Sequence, residues 1–320
     1  MNRTHMYRLS IALFLLPALL LFVVILIAPI FISLYDSLFS FKRFMDPERE
    51  FVGLQNYVTL FSKYIPNPET GLMSLNTTKY LGGALVTTLL LAALSVFIQL
   101  PLSLAVALKL GKGIRGERFY LTVFFMPVLI STVIIAQLWD KMYSASSSGI
   151  LNAALDALGI KQKVFDMIGN GFAGAWTGHK STVLVASFIP VLWQYIGYHM
   201  LLMYAGIKGV PSDLLEAARL DGAREGQINR YIIIPYIKPI LRVSVIFAVT
   251  GSLKSFDLFF AMFGRDESPK VIVPSMLLQK QISVQNMGIA SAVATILIIL
   301  CFAFALLINL AFRNKGEKVA

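Results

Sequence analysis

Six stretches of this sequence are each long and apolar enough to cross a bilayer, and nothing else limits the fold as tightly. They cover roughly 9–39, 81–110, 119–142, 182–207, 239–263 and 288–312. A helix needs about 20 mostly apolar residues to cross the hydrocarbon, because each residue advances it by only about 1.5 Å. The expectation is an all-α polytopic membrane protein with six transmembrane helices. Composition agrees: 57% of the 320 residues are hydrophobic and 14% charged, with a mean hydropathy of +0.73. A soluble domain carries about 25% charged residues. The first run outlasts the 7–15 residues of a signal h-region and no A-x-A site closes it. It therefore reads as an uncleaved span, kinked or broken near Pro17 or Pro29.

The net charge of +11 would suit nucleic acid in a soluble protein. In a membrane chain the same Lys and Arg are orientation charges in loops, so no nucleic-acid partner is expected. Basic residues concentrate in four places: Arg3 and Arg8; Lys109, Lys112, Arg115 and Arg118; Lys208 to Arg242; and Arg313, Lys315 and Lys318. The loops near 40–80, 143–181 and 264–287 are more dilute. With six spans the dense side is the cytoplasm and holds both termini. Two outer segments read as short helices over the outer mouth: "FVGLQNYVTLF" (51–61), and "SGILNAALDALGI" (148–160), with Ser148 as N-cap and Gly159 as terminator. The single cysteine, Cys301, excludes a disulfide framework and a cysteine metal site.

The segment 208–238 stands out as a charged insert before the fifth span. Pro211 begins a helix with Ser212 or Asp213 near its start, and "DLLEAARL" is rich in helix formers. Gly222 stands where a helix end needs a left-handed residue. A second helix is expected to run through "REGQINRYIII" and end at Pro235. Leu214, Leu215, Ala218 and Ile228 make an apolar side, and Glu216 and Arg219 are spaced to pair. On composition alone this is equally a surface hairpin that merely joins two spans or touches lipid headgroups.

Its spacing, however, matches a signature: E-A-A, three residues, G, nine residues, then I-x-L-P. It reads here as Glu216-Ala217-Ala218, Gly222, Ile232 and Pro235, with Ile234 in place of Leu. The stretch resembles the membrane subunits of binding-protein-dependent ABC importers. "DGA" (Asp221-Gly222-Ala223) is similar to their carbohydrate branch, as are "WQYIGYHMLLMYAGIKGVPSDLLEAARLDGA" and "GIASAVATILIIL". The kind it resembles is the first of the two maltose or glycerol-phosphate permeases. It departs from the family's "T-x-G-G-P" after the fifth span, reading "MFGRDESPKV". The resemblance implies a single permease domain over 1–320, in a bacterial or archaeal plasma membrane. Residues 208–238 would be its cytoplasmic two-helix coupling insert, docking on an ATPase subunit through Glu216, Ala217, Ala218, Asp221 and Gly222. It implies as partners a second, related permease, two cytoplasmic ATPases, an extracytoplasmic solute-binding protein, membrane lipid and a carbohydrate. The chain would be no enzyme and bind no cofactor, ATP and Mg residing on the ATPase.

The sequence holds no competing nucleotide site or catalytic constellation. "GAWTGHKS" (174–181) misses phosphate-loop spacing because His179 separates Gly178 from Lys180. His5, His179 and His199 have no partner at metal or triad spacing. His199 is either buried and hydrogen-bonded or lines a pathway. Polar groups inside spans usually face a cavity. The fourth and fifth spans offer Trp193, Gln194, Tyr195, Tyr198, Thr250, Ser252, Lys254, Ser255, Phe256 and Asp257, the hydroxyls and aromatic faces a sugar site needs. Trp193 and Tyr195 read equally as interface-belt residues. Gly251 is expected to interrupt the fifth span. The resemblance favours Gln194, Tyr195, Tyr198, Ser252, Lys254 and Ser255 as the substrate pathway, with Lys254 suiting an anionic sugar. The alternative is an ion-gradient carrier in which Lys254 and Asp257 pair and relay protons.

Overall fold

The computed structural model describes residues 3–43, 48–62, 64–66, 73–75, 81–146, 149–169, 172–179, 181–264 and 271–313. The expected roles of Ser148, Lys180, Lys315 and Lys318 and the atypical loop at 265–270 lie outside them. The chain is almost wholly helical and divides into two compact units.

The first unit is Met1–Gly82 with Leu277–Ile299. Helix α1 (Arg3–Phe22) passes Pro17 unbroken, becomes a π turn at Val23–Ile27, and continues as α2 (Ala28–Asp36). Of the two expected break points, only the neighbourhood of Pro29 is irregular. Apolar side chains such as Phe14, Leu19 and Ile25 stand exposed along this span, as suits a helix that meets lipid. Beyond it, β1 (Phe39–Ser40) pairs antiparallel with β2 (Glu50–Phe51), and the expected helix follows as α3 (Gln55–Phe61). Buried Asn56 ties these together, its Nδ2 donating to the carbonyls of Ser37 (2.8 Å) and Phe39 (2.9 Å). Asp36, nearly inaccessible, accepts from Arg49 at 2.9 Å, and the guanidinium also covers the Phe41 ring.

The second unit is Gly83–Met276 with Leu300–Ala320. Here α4 (Leu81–Leu94), a π turn at Ser95–Gln99 and α5 (Leu100–Gly111) form one span. The third apolar run departs from expectation. Instead of one helix it forms α6 (Glu117–Leu129) and α7 (Thr132–Tyr143), bent by 96° at the break. Pro127 withdraws a donor in the last turn of α6, and Ile130 and Ser131 are extended. At 13 residues α6 rises only about 20 Å, short of the hydrocarbon thickness. Among the described residues there are thus five helices fit to span, or six if the bent pair crosses as one.

The outer segment folds as α8 (Ile150–Ala157), ended by Gly159 at φ +67°, then α9 (Lys161–Ile168). Helix α10 (Val183–Lys208) is the centre of the unit. Gly197 lets it touch α6 backbone to backbone, since an added Cβ would stand 1.8 Å from the Phe124 carbonyl oxygen. Then come α11 (Ser212–Leu220), α12 (Glu225–Ile228), a π turn at Asn229–Ile233 and α13 (Ile234–Tyr236). The second insert helix therefore runs past Pro235 rather than ending there. The fifth span comprises α14 (Lys238–Leu253) and α15 (Asp257–Phe263). Last are α16 (Pro274–Ser283) and α17 (Met287–Phe312). Within the first unit, Gly288 of α17 meets the Phe39 carbonyl oxygen so closely that a Cβ would lie 2.0 Å away.

The three π turns share a cause. Each ends two residues before a proline: Pro29, Pro101 and Pro235. Proline lacks an N–H, and its ring crowds the carbonyl four residues back. The residue before each proline donates one carbonyl further back, as Leu100 does to Ser95 and Ile234 to Asn229. The widened turn relieves the crowding and keeps the helix continuous.

Candidate functional site

A cavity of about 520 Å³ lies within the second unit. All six residues of the expected pathway, Gln194, Tyr195, Tyr198, Ser252, Lys254 and Ser255, line it. Helical spacing explains their convergence. Gln194 and Tyr198 are one turn apart on α10, and the chain leaves helix at Lys254–Phe256, turning those residues toward the space. Gln194 is 3% exposed and its Nε2 donates to Thr132 Oγ1 at 3.3 Å. Ser252 Oγ donates to the Ala248 carbonyl at 2.8 Å. The Tyr198 ring meets the His199 ring edge-on, with centroids 5.3 Å apart.

Several expectations need correction. Gly251 does not interrupt the fifth span; helix persists to Leu253 and the break falls at Lys254–Phe256. Gly251 lines the cavity, and a Cβ there would meet nothing within 4 Å. Lys254 and Asp257 line the cavity but form no salt bridge with each other, because the break directs them from two separate helix ends. Trp193 does not line the cavity but packs edge-on against Trp139, beside Ile135 and Leu258. Ser95, Gln99 and Thr132 also line the cavity and escaped sequence reading. Ser95 and Gln99, polar residues four apart in an apolar run, were a usable signal.

The insert is a second concentration of predicted residues. Helix α11 exposes Glu216 and Ala217, while Leu215 and Ala218 pack on the core formed by Met203, Ile207 and Ile228. Leu214, of the expected apolar side, is 50% exposed, and Leu220 is 90% exposed. Asp221 ends the helix, and Gly222 makes the turn at φ +79°. Arg219 pairs with Glu225 at 3.5 Å, not with Glu216. Glu225 also receives Lys112 at 3.1 Å, which fastens the insert to the basic link after α5. The Lys112 hydrogen bond holds the Glu225 carboxyl below its ordinary value, against a smaller opposing effect of desolvation. Glu117, at the start of α6, accepts from Tyr204 and from Lys208 at 3.2 Å.

The loop at 174–179 is a structural knot. Buried Asn152 donates to the Gly174 carbonyl and accepts from Trp176 Nε1 at 2.8 Å, and Thr182 caps the Trp176 carbonyl at 2.7 Å. His179 lies edge-on to Phe172. Among the described residues no three of His, Cys, Asp and Glu gather as metal ligands.

The family described as binding-protein-dependent transport system inner membrane component matches residues 99–315. The chain is 33% identical to the probable ABC transporter permease protein YurN of Bacillus subtilis, over 96% of this chain and 97% of that one. It is 29% identical to the diacetylchitobiose uptake system permease protein NgcF of Streptomyces coelicolor, over 93% and 80%. It is 26% identical to the trehalose/maltose transport system permease protein MalF of Thermococcus litoralis, over 92% and 90%. In fold it matches a chain of a bacterial ABC transporter that imports the acidic polysaccharide alginate, with a TM-score of 0.75 at 20% identity over 96% of each chain.

Proposed function

From the premise that this chain belongs to the family of binding-protein-dependent transport system inner membrane components, we propose that it carries a sugar, oligosaccharide or sugar-derived solute into the cytoplasm. The chain is a multi-pass permease subunit of an ATP-driven ABC importer. It is not the catalyst: ATP hydrolysis belongs to a separate subunit, and a solute-binding protein delivers the cargo. The observation that carries the carbohydrate reading is the cavity, whose wall combines Tyr195 and Tyr198 with the amides and hydroxyls of Gln194, Ser252 and Ser255. Aromatic faces suit the C–H faces of a sugar ring, and the polar groups suit its hydroxyls. The relatives named for diacetylchitobiose and trehalose/maltose point the same way.

Both compact units belong to one permease domain, with 208–238 as its cytoplasmic coupling insert. The bent pair α6–α7 crosses as the third of six spans, so both termini face the cytoplasm of a bacterial or archaeal cell. The dense basic residues at 109–118 and 208–242 support that side. The exposed Glu216-Ala217 edge and the open Gly222 turn form the plug for a cytoplasmic ATPase, of which two serve the complex with a second, related permease. Docked inserts move with the ATPases, and the spans alternate access around the cavity. The gradient-driven alternative has lost its ion pair and has no use for an ATPase dock.

The test is uptake by the complete complex in lipid vesicles, with maltose, diacetylchitobiose, xylose and alginate oligosaccharides as cargo. Accumulation of none of the four would sink the carbohydrate reading. In the same vesicles Glu216→Lys and Gly222→Pro should assemble in part. Substrate-stimulated ATP hydrolysis should nevertheless fall at least about tenfold, the effect of losing one well-placed contact pair. Normal stimulation in both variants would sink the coupling role.

A further inference from the structure

Helix α3 has three distinct sides. Leu54, its N-cap, shares with Val58 and Phe61 a stripe about 60° wide. These three are 67%, 54% and 53% exposed. Gln55 and Thr59 lie roughly 120° round the helix from them. Asn56 and Leu60 make the third side and are buried. An apolar stripe bounded by polar residues on one flank and by its own fold on the other is the pattern of a helix lying in a membrane surface.

The place of the stripe in the first unit agrees. The first span covers Ile11–Asp36, 26 residues, or roughly 39 Å of helix against about 30 Å of hydrocarbon. Its end therefore reaches the headgroups, the level at which aromatic residues gather. Phe31 and Tyr35 stand exposed there, one turn apart. The Tyr35 ring lies 4.8 Å from that of Phe39, and Phe39 meets exposed Phe51 across the hairpin at 5.4 Å, centroid to centroid. The apolar surface thus continues from the span through β1 and β2 toward α3. The attachment is tight. Besides the Asn56 bonds, the hydroxyls of Tyr57 and Ser37 meet at 2.6 Å, and the Val52 N–H donates to the Leu38 carbonyl at 3.0 Å.

Chemistry selects lipid as the occupant. No charged residue occurs from Phe51 to Ser62. A protein interface carries about one hydrogen bond per 100–200 Å², and the side chains of this stripe can supply none. Lipid asks for none. We propose that the β1–β2 hairpin and α3 form a lipid-binding foot. Phe51, Leu54, Val58 and Phe61 seat it in the headgroup region at the Asp36 end of the first span, and it fixes the depth of that span. In the orientation proposed above this is the outer leaflet. Neither the cargo nor the coupling insert bears on it.

The experiment uses the complete complex in vesicles of phosphatidylethanolamine and phosphatidylglycerol. Leu54→Cys, Val58→Cys, Phe61→Cys, Gln55→Cys and Thr59→Cys are made singly in a Cys301→Ser background and spin-labelled. Molecular oxygen concentrates in lipid, and a water-soluble nickel chelate stays out of it. Labels at 54, 58 and 61 should collide mainly with oxygen, at a depth of roughly 5–10 Å in the headgroup and acyl boundary. Labels at 55 and 59 should collide mainly with nickel, a reversal within one turn. Nickel-dominated collisions at 54, 58 and 61 would place the stripe in water and overturn the proposal. So would labels there that neither reagent reaches, which would mean that another protein covers them. Three positions on the stripe keep the comparison decisive if one variant fails to assemble. A label at Phe31→Cys then reads the depth of the span. Adding Leu54→Gln and Val58→Gln should move it by about 3 Å or more, the rise of two helical residues. An unchanged depth would overturn the anchoring role.

Discussion

Two glycines show how differently one residue type can be required. Gly222 has open space around it, and only its φ of +79° excludes a side chain. Gly197 has ordinary helical backbone, and only the Phe124 carbonyl oxygen excludes a side chain. Gly222→Ala should therefore cost about 1 kcal/mol of local strain and leave the packed spans intact. Gly197→Ala must push α6 off α10 and should cost about 1–3 kcal/mol. Thermal unfolding of the detergent-solubilised chain checks both, with the larger drop in melting temperature expected for Gly197→Ala. The reverse order would contradict the close crossing. Only the first glycine was legible in the sequence. Its role follows from local turn chemistry, whereas that of Gly197 depends on a carbonyl 73 positions earlier, counting 197 minus 124.

At the scale of elements, the insert is held to the spans by Glu225, which bridges Lys112 and Arg219. Its carboxyl titrates below the ordinary 4.5 because the charged form is the one that is held. The stabilisation is therefore complete above 4.5 and disappears as pH falls through the lower folded value. All three side chains are about half exposed, so the pair is worth at most about 1 kcal/mol and weakens with salt. Amide exchange across 223–228, corrected for the intrinsic rate, should accelerate on acidification in wild type and be pH-insensitive in Glu225→Gln. Equal acceleration in both would remove Glu225 from the account. Elements were also where sequence reading divided most clearly. The long spans were legible because apolar length is a direct physical requirement. The bend at Ile130–Ser131 was not, because hydropathy averages over a two-residue change of backbone. The six residues expected to share a pathway, which line one cavity, were legible because polar groups stand out in an apolar span. Thr132 was not, since only the bend turns the start of α7 into the cavity wall.

For the whole molecule, the open count of five helices or six becomes a question of parity. If α6 and α7 cross together, the chain ends share a side; if the pair enters and leaves by one face, they do not. Fusing a fluorescent protein or alkaline phosphatase before α1 and after Phe312 distinguishes these outcomes. Fluorescence without phosphatase activity is expected at both ends. Opposite signals would make α6–α7 re-entrant and move the insert relative to one terminus. The basic tail at Arg313 argues for the shared side.

The proline-linked π turns bear on how the chain can change length. A π turn holds one residue more than the α turn it replaces, while the helix on either side keeps its faces. Removing one residue together with its proline would restore regular helix without rotating the flanks. Val23–Ile27, Ser95–Gln99 and Asn229–Ile233 are thus natural sites for single-residue gain or loss within helices that otherwise admit none. The three are unequal. At the first the exposed apolar face of the opening span would change; at the second a cavity residue would vanish; at the third the charged insert proposed to couple to an ATPase would shorten. Insertions and deletions among related sequences should be commonest at the first and rarest at the second.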